Sequence, residues 1–341
     1  MDKLQDLIME DGERICSRAD LGKLDGSRIL ITGASGLVGV HLLASLAYLA
    51  SSGKGRYELT AAMQSRPPAY LAEIIERAGG RIFRGDLTDA GVPEGLPKAD
   101  YIIHSAGYAQ PGRFLDNPVK TIQINTSALF ALFQKLAPRG KLLFVSTSEV
   151  YSGSPNIPYR EPDIGTTTPT HPRACYIESK RCGEAICGAY RQSGVDAASA
   201  RLSLAYGPGT GKGDGRVLNA FIEKALKGTI TLLDHGEAGR TYCYVSDAVE
   251  LMWNILLKGR EPVYNVGGIS RTTVRELAVR IGEYLRVPVV FPDETRQLAG
   301  TPEDVRLDMA KAREEFGKEE YLSLDEGLAR TIEWQKILYA Q

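Results

Sequence analysis

The stretch RILITGASGLVGVHLLASLAYLA, residues 28–50, decides how the rest of the chain is read. A short apolar strand runs directly into Gly33-Ala34-Ser35-Gly36-Leu37-Val38-Gly39, and an apolar segment from Leu37 to Ala50 follows. Glycines at a strand-to-helix turn take tight or positive-φ conformations and let the backbone approach a pyrophosphate. The helix N-terminus then adds unpaired N–H groups and partial positive charge. Gly33, Ser35, Gly36, Leu37, Val38 and Gly39 are therefore candidate dinucleotide-binding residues. The Leu37–Ala50 segment is 14 residues long and interrupted by His41. It is too short to span a bilayer and reads as a buried helix.

Outward from this stretch the pattern alternates strand and helix. YELTAA (57–62), a helical segment at 71–77, RIF (81–83), DYIIH (100–104), a long helix at 118–136, KLLFVS (141–146), a helix at 173–192 and AASARLS (197–203) follow in order. Short apolar strands separated by helices imply βαβ units and a parallel sheet buried on both faces. The expected fold class is α/β, a Rossmann-type doubly wound parallel sheet with a smaller, discontinuous C-terminal substrate domain. Residues 1–24 form a polar extension for which a helix is one reading, and the pattern assigns it no role. Residues 25–206 and 239–265 are expected to form the NAD(P)-binding domain, with YCYV (242–245) and DAVELMWNILL (247–257) returning to its sheet. Residues 207–238, opening on the glycine-rich GPGTGKGDGR, and 266–341 are expected to form the substrate domain.

Composition excludes little but directs the search. The chain has 341 residues, 43% hydrophobic and 24% charged, with a net charge of −1. It can bury a sizeable core, and it gives no electrostatic case for nucleic acid or an acidic membrane. Its five cysteines show neither CxxC nor metal-ligand spacing, which suits a reducing cytoplasm, and no metal site is expected. The charged N-terminus lacks a signal-peptide core.

Chemistry concentrates between Ser146 and Lys180. Tyr176 and Lys180 are four apart and share a helix face. A nearby ammonium favours the ionised phenol, and bringing a tyrosine to a pKa near 7 needs roughly 4 kcal/mol of differential stabilisation. Thr147 ends the preceding strand, at the carboxyl edge where open α/β sheets bind ligands. Ser105, Ala106 and Gly107 close the fourth strand with small residues, as close approach of a flat cofactor requires. The acidic residue expected about 20 residues after the glycine turn to hold a ribose is missing. Arg66 stands near that place and suits a 2′-phosphate, so NAD and NADP both stay open. Asp86 and Leu87, after RIF, are candidates for adenine. His41 and His104 read as core residues and Trp253 as packing. Asp247 with Glu250, and Thr273 with Glu276, read as helix caps.

With GASGLVG, GDLTD, STSEVYS, YIESK, AYGPG, DGRVLNAF and RTYCYVSD in place, the chain resembles the extended short-chain dehydrogenase/reductases, the NAD-dependent epimerase/dehydratase family. It is similar to UDP-glucuronate decarboxylases through STSEVY, PRACYIESKR and DGRV. That resemblance implies a nucleotide-sugar substrate, a bound NAD, and transient oxidation at the sugar C4. Tyr176 removes the hydroxyl proton, Lys180 holds the ribose, and Thr147 bonds the same hydroxyl. It implies a fate for the 4-keto sugar set by Ser148 and Glu149, because dehydratases carry Asp where Ser148 stands and decarboxylases carry Ser-Glu. It implies that Arg216, Asn219, Arg240 and Arg306 hold the nucleotide and diphosphate, and that a homodimer forms through the Tyr176 helix and the 118–136 helix. One departure stands out: Leu204 occupies the place of a diphosphate-binding Asn. A 4-epimerase and a 4,6-dehydratase are the neighbouring alternatives. From other classes come an NADPH-linked carbonyl reductase and a non-catalytic dinucleotide-binding regulator.

Overall fold

A computed structural model describes residues 3–293 and 304–340. Helix α1 (Lys3–Arg18) precedes β1 (Arg28–Thr32), α2 (Leu37–Ser51), β2 (Glu58–Met63), α3 (Ala69–Arg77), β3 (Gly80–Arg84) and β4 (Ala99–His104). Three short helices follow, α4 (Pro111–Asp116), α5 (Pro118–Asn125) and α6 (Ser127–Phe133), then β5 (Leu136–Thr147), α7 (Ala174–Gln192), β6 (Asp196–Leu202) and β7 (Ala205–Tyr206). The remainder comprises α8 (Val217–Leu226), β8 (Ile230–Thr231), β9 (Gly239–Tyr244), α9 (Val245–Lys258), β10 (Val263–Val266), β11 (Ser270–Thr273) and α10 (Val274–Leu285). It ends with β12 (Val289–Val290), β13 (Asp304–Val305), α11 (Ala310–Phe316) and α12 (Leu324–Ala340).

Seven strands form one parallel sheet in the order β3-β2-β1-β4-β5-β6-β10. Leu30, Ile31 and Thr32 are fully screened from solvent because helices cover both faces, which is why these strands are continuous apolar runs. Strand order reverses between β1 and β4, so a crevice opens outside their carboxyl ends. The expected α/β doubly wound sheet is therefore present. No helix among the described residues is long and apolar enough to cross a membrane.

Several local expectations change. The helix expected at 118–136 is broken into α5 and α6, because Thr126 leaves helical geometry (φ −125°, ψ −81°), and β5 already begins at Leu136. Strand β9 does not return to the large sheet. It pairs with β7, β11 and β13, while β10 becomes the seventh strand and α9 packs beside α2. Asp247 and Glu250 are not caps. Both carboxylates bind the buried Lys318 ammonium, at 2.8 and 2.5 Å, a pairing 68 or more positions apart in sequence. Thr273 and Glu276 do form a capping box at the start of α10.

The unassigned N-terminal extension is part of the core. Leu4, Ile8 and Ile15 of α1 are buried, and α1 packs on α2 and α9. A Cβ on Gly12 would lie 2.6 Å from the Ala44 carbonyl oxygen, so glycine is what lets the two helix backbones approach. Beside it, the buried Asp11 carboxylate accepts from the Tyr244 hydroxyl at 2.9 Å, pairs with Arg330 at 3.2 Å and faces His41 Nε2 at 3.1 Å. A charge buried this way is tolerated because each of its oxygens is engaged. Ile8→Ala is expected to destabilise the whole fold by about 2–5 kcal/mol, measured by urea denaturation. A loss under 1 kcal/mol would show that α1 is a detachable appendage.

Candidate active site

The carboxyl ends of the central strands face a cavity of about 950 Å³. One wall is the glycine turn, with Gly33, Ser35, Gly36, Leu37, Val38 and Gly39, joined by Ser105 and Gly107 from the end of β4. Arg216, Asn219 and Arg240 also line it, as do Thr147, Ser148, Glu149, Tyr176 and Lys180.

Gly33 has φ +69°, and a Cβ there would sit 2.5 Å from the Ala106 amide nitrogen. Only glycine lets the β1 turn touch the β4 turn in this way. Ala106 itself contributes backbone and does not line the cavity. Gly36 stands at the N-cap of α2 and no side chain caps that helix, whose first turn borders the cavity. An uncapped helix start beside a cradle that a Cβ would fill fits the pyrophosphate of a dinucleotide.

Tyr176 and Lys180 sit one turn apart on α7. Lys180 Nζ donates to the Val145 carbonyl at 2.7 Å and lies 4.6 Å from the centre of the Phe144 ring. Burial pulls its pKa down to about 7, against the opposing pull of Glu184. Tyr176 stacks on Phe114, with centroids 4.8 Å apart and planes 5° apart. Burial pushes the phenol up to about 12. A hydrogen bond with Thr147 and the charges of Arg173 and Arg216 pull it down, and Glu149 pushes it up. Lys180 Nζ lies 6.0 Å from the Tyr176 ring centre, and among the protein's own side chains Thr147, Glu149, Arg173 and Arg216 act on the phenol.

Glu149 lies in a single 3₁₀ turn (Ser148–Tyr151) that ends β5, where Thr147 Oγ1 accepts from the Glu149 amide at 3.2 Å. Its Oε1 is ion-paired with Arg173. Glu149 Oε2 and Arg173 Nε are buried with no hydrogen-bond partner. Arg173 also lies over the Phe114 ring at 5.6 Å. Sequence reasoning did not select Arg173, although its spacing three residues before Tyr176 places it one helical turn away. Beneath the site, Arg201 pairs with Glu184 at 2.7 Å and Ser146 Oγ donates to the same carboxylate.

Other selected residues are placed differently. Arg66 is exposed and outside the cavity, whose wall at that point is Ser65. Asp86 is also outside, its carboxylate engaged by Lys120 at 2.6 Å, Gln64 and Thr88, and Leu87 is core. Arg306 lies off the cavity, its carbonyl accepting from the Tyr159 amide and its Nε buried without a partner. The preceding strand β13 nevertheless pairs Val305 with Arg240. Asn219 is buried and accepts from Gln335 at 3.0 Å, while Arg216 grips Asp214. Arg240 is buried and donates to the Gly239 carbonyl at 2.6 Å, and burial lowers its pKa. Leu204 lines the cavity in a left-handed conformation, φ 45°. His104 bonds Thr32 and the Ile124 carbonyl, and burial pulls its pKa down to about 4. Among the described residues no group of three or more His, Cys, Asp or Glu is arranged to hold a metal ion.

Comparison with known proteins agrees with this geometry. Residues 29–267 match the model of the NAD dependent epimerase/dehydratase family. The chain is 34% identical over 310 residues to UDP-glucuronic acid decarboxylase 6 of Arabidopsis thaliana, covering 88% of this chain and 86% of the relative. It is 32% identical over 341 residues to UDP-glucuronic acid decarboxylase 1 of Danio rerio, covering 98% and 78%. Among solved structures it is similar to UDP-glucose 4-epimerase from Thermotoga maritima with UDP-glucose, with a TM-score of 0.76, 25% identity and coverage of 91% and 98%. It is also similar to a dTDP-glucose 4,6-dehydratase from Streptomyces venezuelae with NAD bound, with a TM-score of 0.74, 25% identity and coverage of 91% and 97%. The glycine cradle, the Tyr176–Lys180 helix and these matches together place the chain in the NAD-dependent epimerase/dehydratase family of extended short-chain dehydrogenase/reductases.

Proposed function

We propose that this enzyme decarboxylates a UDP-hexuronic acid through transient oxidation at C4. The observation that carries this reading is Ser148-Glu149 on the cavity wall next to Thr147 and Tyr176. A neutral hydroxyl stands where a dehydratase needs an acid. NAD, when bound in the glycine cradle, supplies a reversible hydride acceptor beside the sugar C4. Tyr176 Oη, in its ionised form, takes the C4 hydroxyl proton, Thr147 orients that hydroxyl, and Lys180 binds the ribose. With C4 a ketone, the C6 carboxylate is β to it. The C5–C6 bond then breaks, CO2 leaves, and the electron pair enters an enolate whose oxygen faces the Tyr176 phenol. Water in the cavity gives C5 its proton, and Tyr176 returns the proton it took to the C4 oxygen as the ketone is reduced back, leaving the pentose. Glu149 is assigned to the steps after oxidation.

The same reading gives the nucleotide and diphosphate to the segments 207–238 and 266–341, with Arg216 and Arg240 as the cations. It places the enzyme in a reducing cytoplasm, consistent with five free cysteines. It also pairs two copies through α5–α7, where Val119, Ile122 and Phe130 are exposed.

The test is UDP-glucuronate with purified enzyme, read as CO2 and a UDP-pentose. An intact C6 carboxylate after C4 inversion would replace the decarboxylase with a 4-epimerase. Tyr176→Phe is expected to lower turnover by about 10²–10⁴. Lys180→Met should abolish turnover yet stabilise the protein assayed without nucleotide. The folded pKa of Lys180 lies below the unfolded value, so the cost of burying its charge is full below about pH 7. That cost fades as pH rises toward the unfolded value near 10.4. The gain in Tm should accordingly be largest at pH 6 and shrink at pH 9. Leu204→Asn should relieve about 1 kcal/mol of left-handed strain and place an amide on the wall, raising Tm and tightening UDP binding in calorimetry.

A further inference from the structure

We propose that Arg173 is the positioning residue that holds Glu149 and Tyr176 as one rigid unit, fixing the first by an ion pair and the second through the ring of Phe114. This rests on the reading above that C4 oxidation by Tyr176 precedes a step assigned to Glu149. The geometry is a layered stack. The Arg173 guanidinium lies over one side of Phe114, 5.6 Å from its centre, and Phe114 lies flat against Tyr176 at 4.8 Å. Phe114 is 1% exposed, so it is held in place by its surroundings and transmits position rather than yielding. From the same guanidinium, Nη2 holds Glu149 Oε1.

Charge bookkeeping in the cavity gives the second strand of the case. A carboxylate beside a phenol that must ionise opposes that ionisation, and Glu149 does so here. Arg173, ion-paired with Glu149, offsets part of this field at Tyr176. Arg173 also leaves Glu149 Oε2 without a partner, and keeps its own Nε unpartnered, both buried at the cavity wall. Buried polar atoms are rarely left unpaired. Lysine could carry the charge but not the flat, forked group that stacks and pairs at once.

The experiment is a cycle of Arg173→Gln, Glu149→Gln and the double variant in the NAD-loaded enzyme, with Arg173→Lys as the conservative change. Cofactor reduction is followed at 340 nm in a single turnover, CO2 release at steady state, and Tm confirms folding. Arg173→Gln is expected to lower kcat by a factor on the order of 10² with KM changed less than threefold. The double variant should lose less than the product of the two single losses, because the part of the Arg173 effect that runs through Glu149 is already gone in Glu149→Gln, while the part that runs through Phe114 to Tyr176 remains. Arg173→Lys should recover part of kcat. A rise in KM at unchanged kcat would overturn the proposal and make Arg173 a receptor for the substrate carboxylate. Multiplicative losses in the double variant would overturn it too. If the wild-type enzyme releases no CO2 but inverts C4 of UDP-glucose, the decarboxylase reading fails, and the same cycle run on inversion still decides whether Arg173 positions the pair. If Arg173→Gln fails to fold, Phe114→Leu keeps the test open, with a loss of kcat at unchanged KM expected and unchanged kcat contrary.

Discussion

The geometry of the site depends on burying the Lys180 ammonium against the Val145 carbonyl at 2.7 Å, at a cost in stability that burial of its charge imposes. That contact fixes α7 along β5 and brings Tyr176 to the end of the strand that carries Thr147. It needs Gly183 one turn on, where a Cβ would strike the Phe144 ring at 2.5 Å, so the helix can lie close enough for a buried lysine to reach. It also needs a counter-charge. Glu184, held by Arg201 and Ser146, raises the Lys180 pKa that burial would otherwise lower further. A site that stores an ammonium in a dry place is poised for a ligand with hydroxyl groups, because such a ligand restores what burial took away.

The second half of the cavity is tied to this frame by strands rather than by loops alone. β9 carries Arg240 and pairs with β13, β11 and β7, and β7 follows directly from β6 of the large sheet. The residues after β6 cannot move without moving the cations that face the glycine turn. Behind them, Asp11 gathers His41, Tyr244 and Arg330 from three different elements, so the helix that starts at the cradle is anchored to the same unit. Net charge near zero hides this. Several ionisable groups are engaged in buried pairs.

What was legible in the sequence follows from range. The glycine turn, the parallel strands and the Tyr176–Lys180 spacing are local patterns with one physical meaning each, and they appear in the structure where they were read. The unassigned α1 was missed because its apolar stripe is narrow and interrupted by Asp11, a residue that is buried only because three distant partners reach it. Asp247 and Glu250 have the spacing of a helix start, yet Lys318, far along the chain, claims both. Arg66 and Asp86 show the converse limit. Each occupies the right place in a motif, but the chain around them turns one to solvent and engages the other with Lys120. Arg173 was passed over because nothing in its neighbours announces an ion pair to a residue 24 positions earlier.

The division of labour between rigid and irregular backbone bears on how one family covers several reactions. Thr147 ends a strand and Tyr176 and Lys180 lie on a long helix, so the groups proposed for the oxidation are set by the sheet itself. Ser148 and Glu149 lie on a single 3₁₀ turn after the strand, and a turn tolerates substitution at little cost to the core. Loss of CO2, inversion and dehydration all begin from the same 4-keto sugar. A change of reaction therefore needs only new groups on that turn, provided something holds them to the accuracy that catalysis demands. A carboxylate on an exposed turn would wander. Paired with Arg173 and backed by Phe114, it inherits the stiffness of α7, and the least regular part of the site becomes as well placed as the most regular.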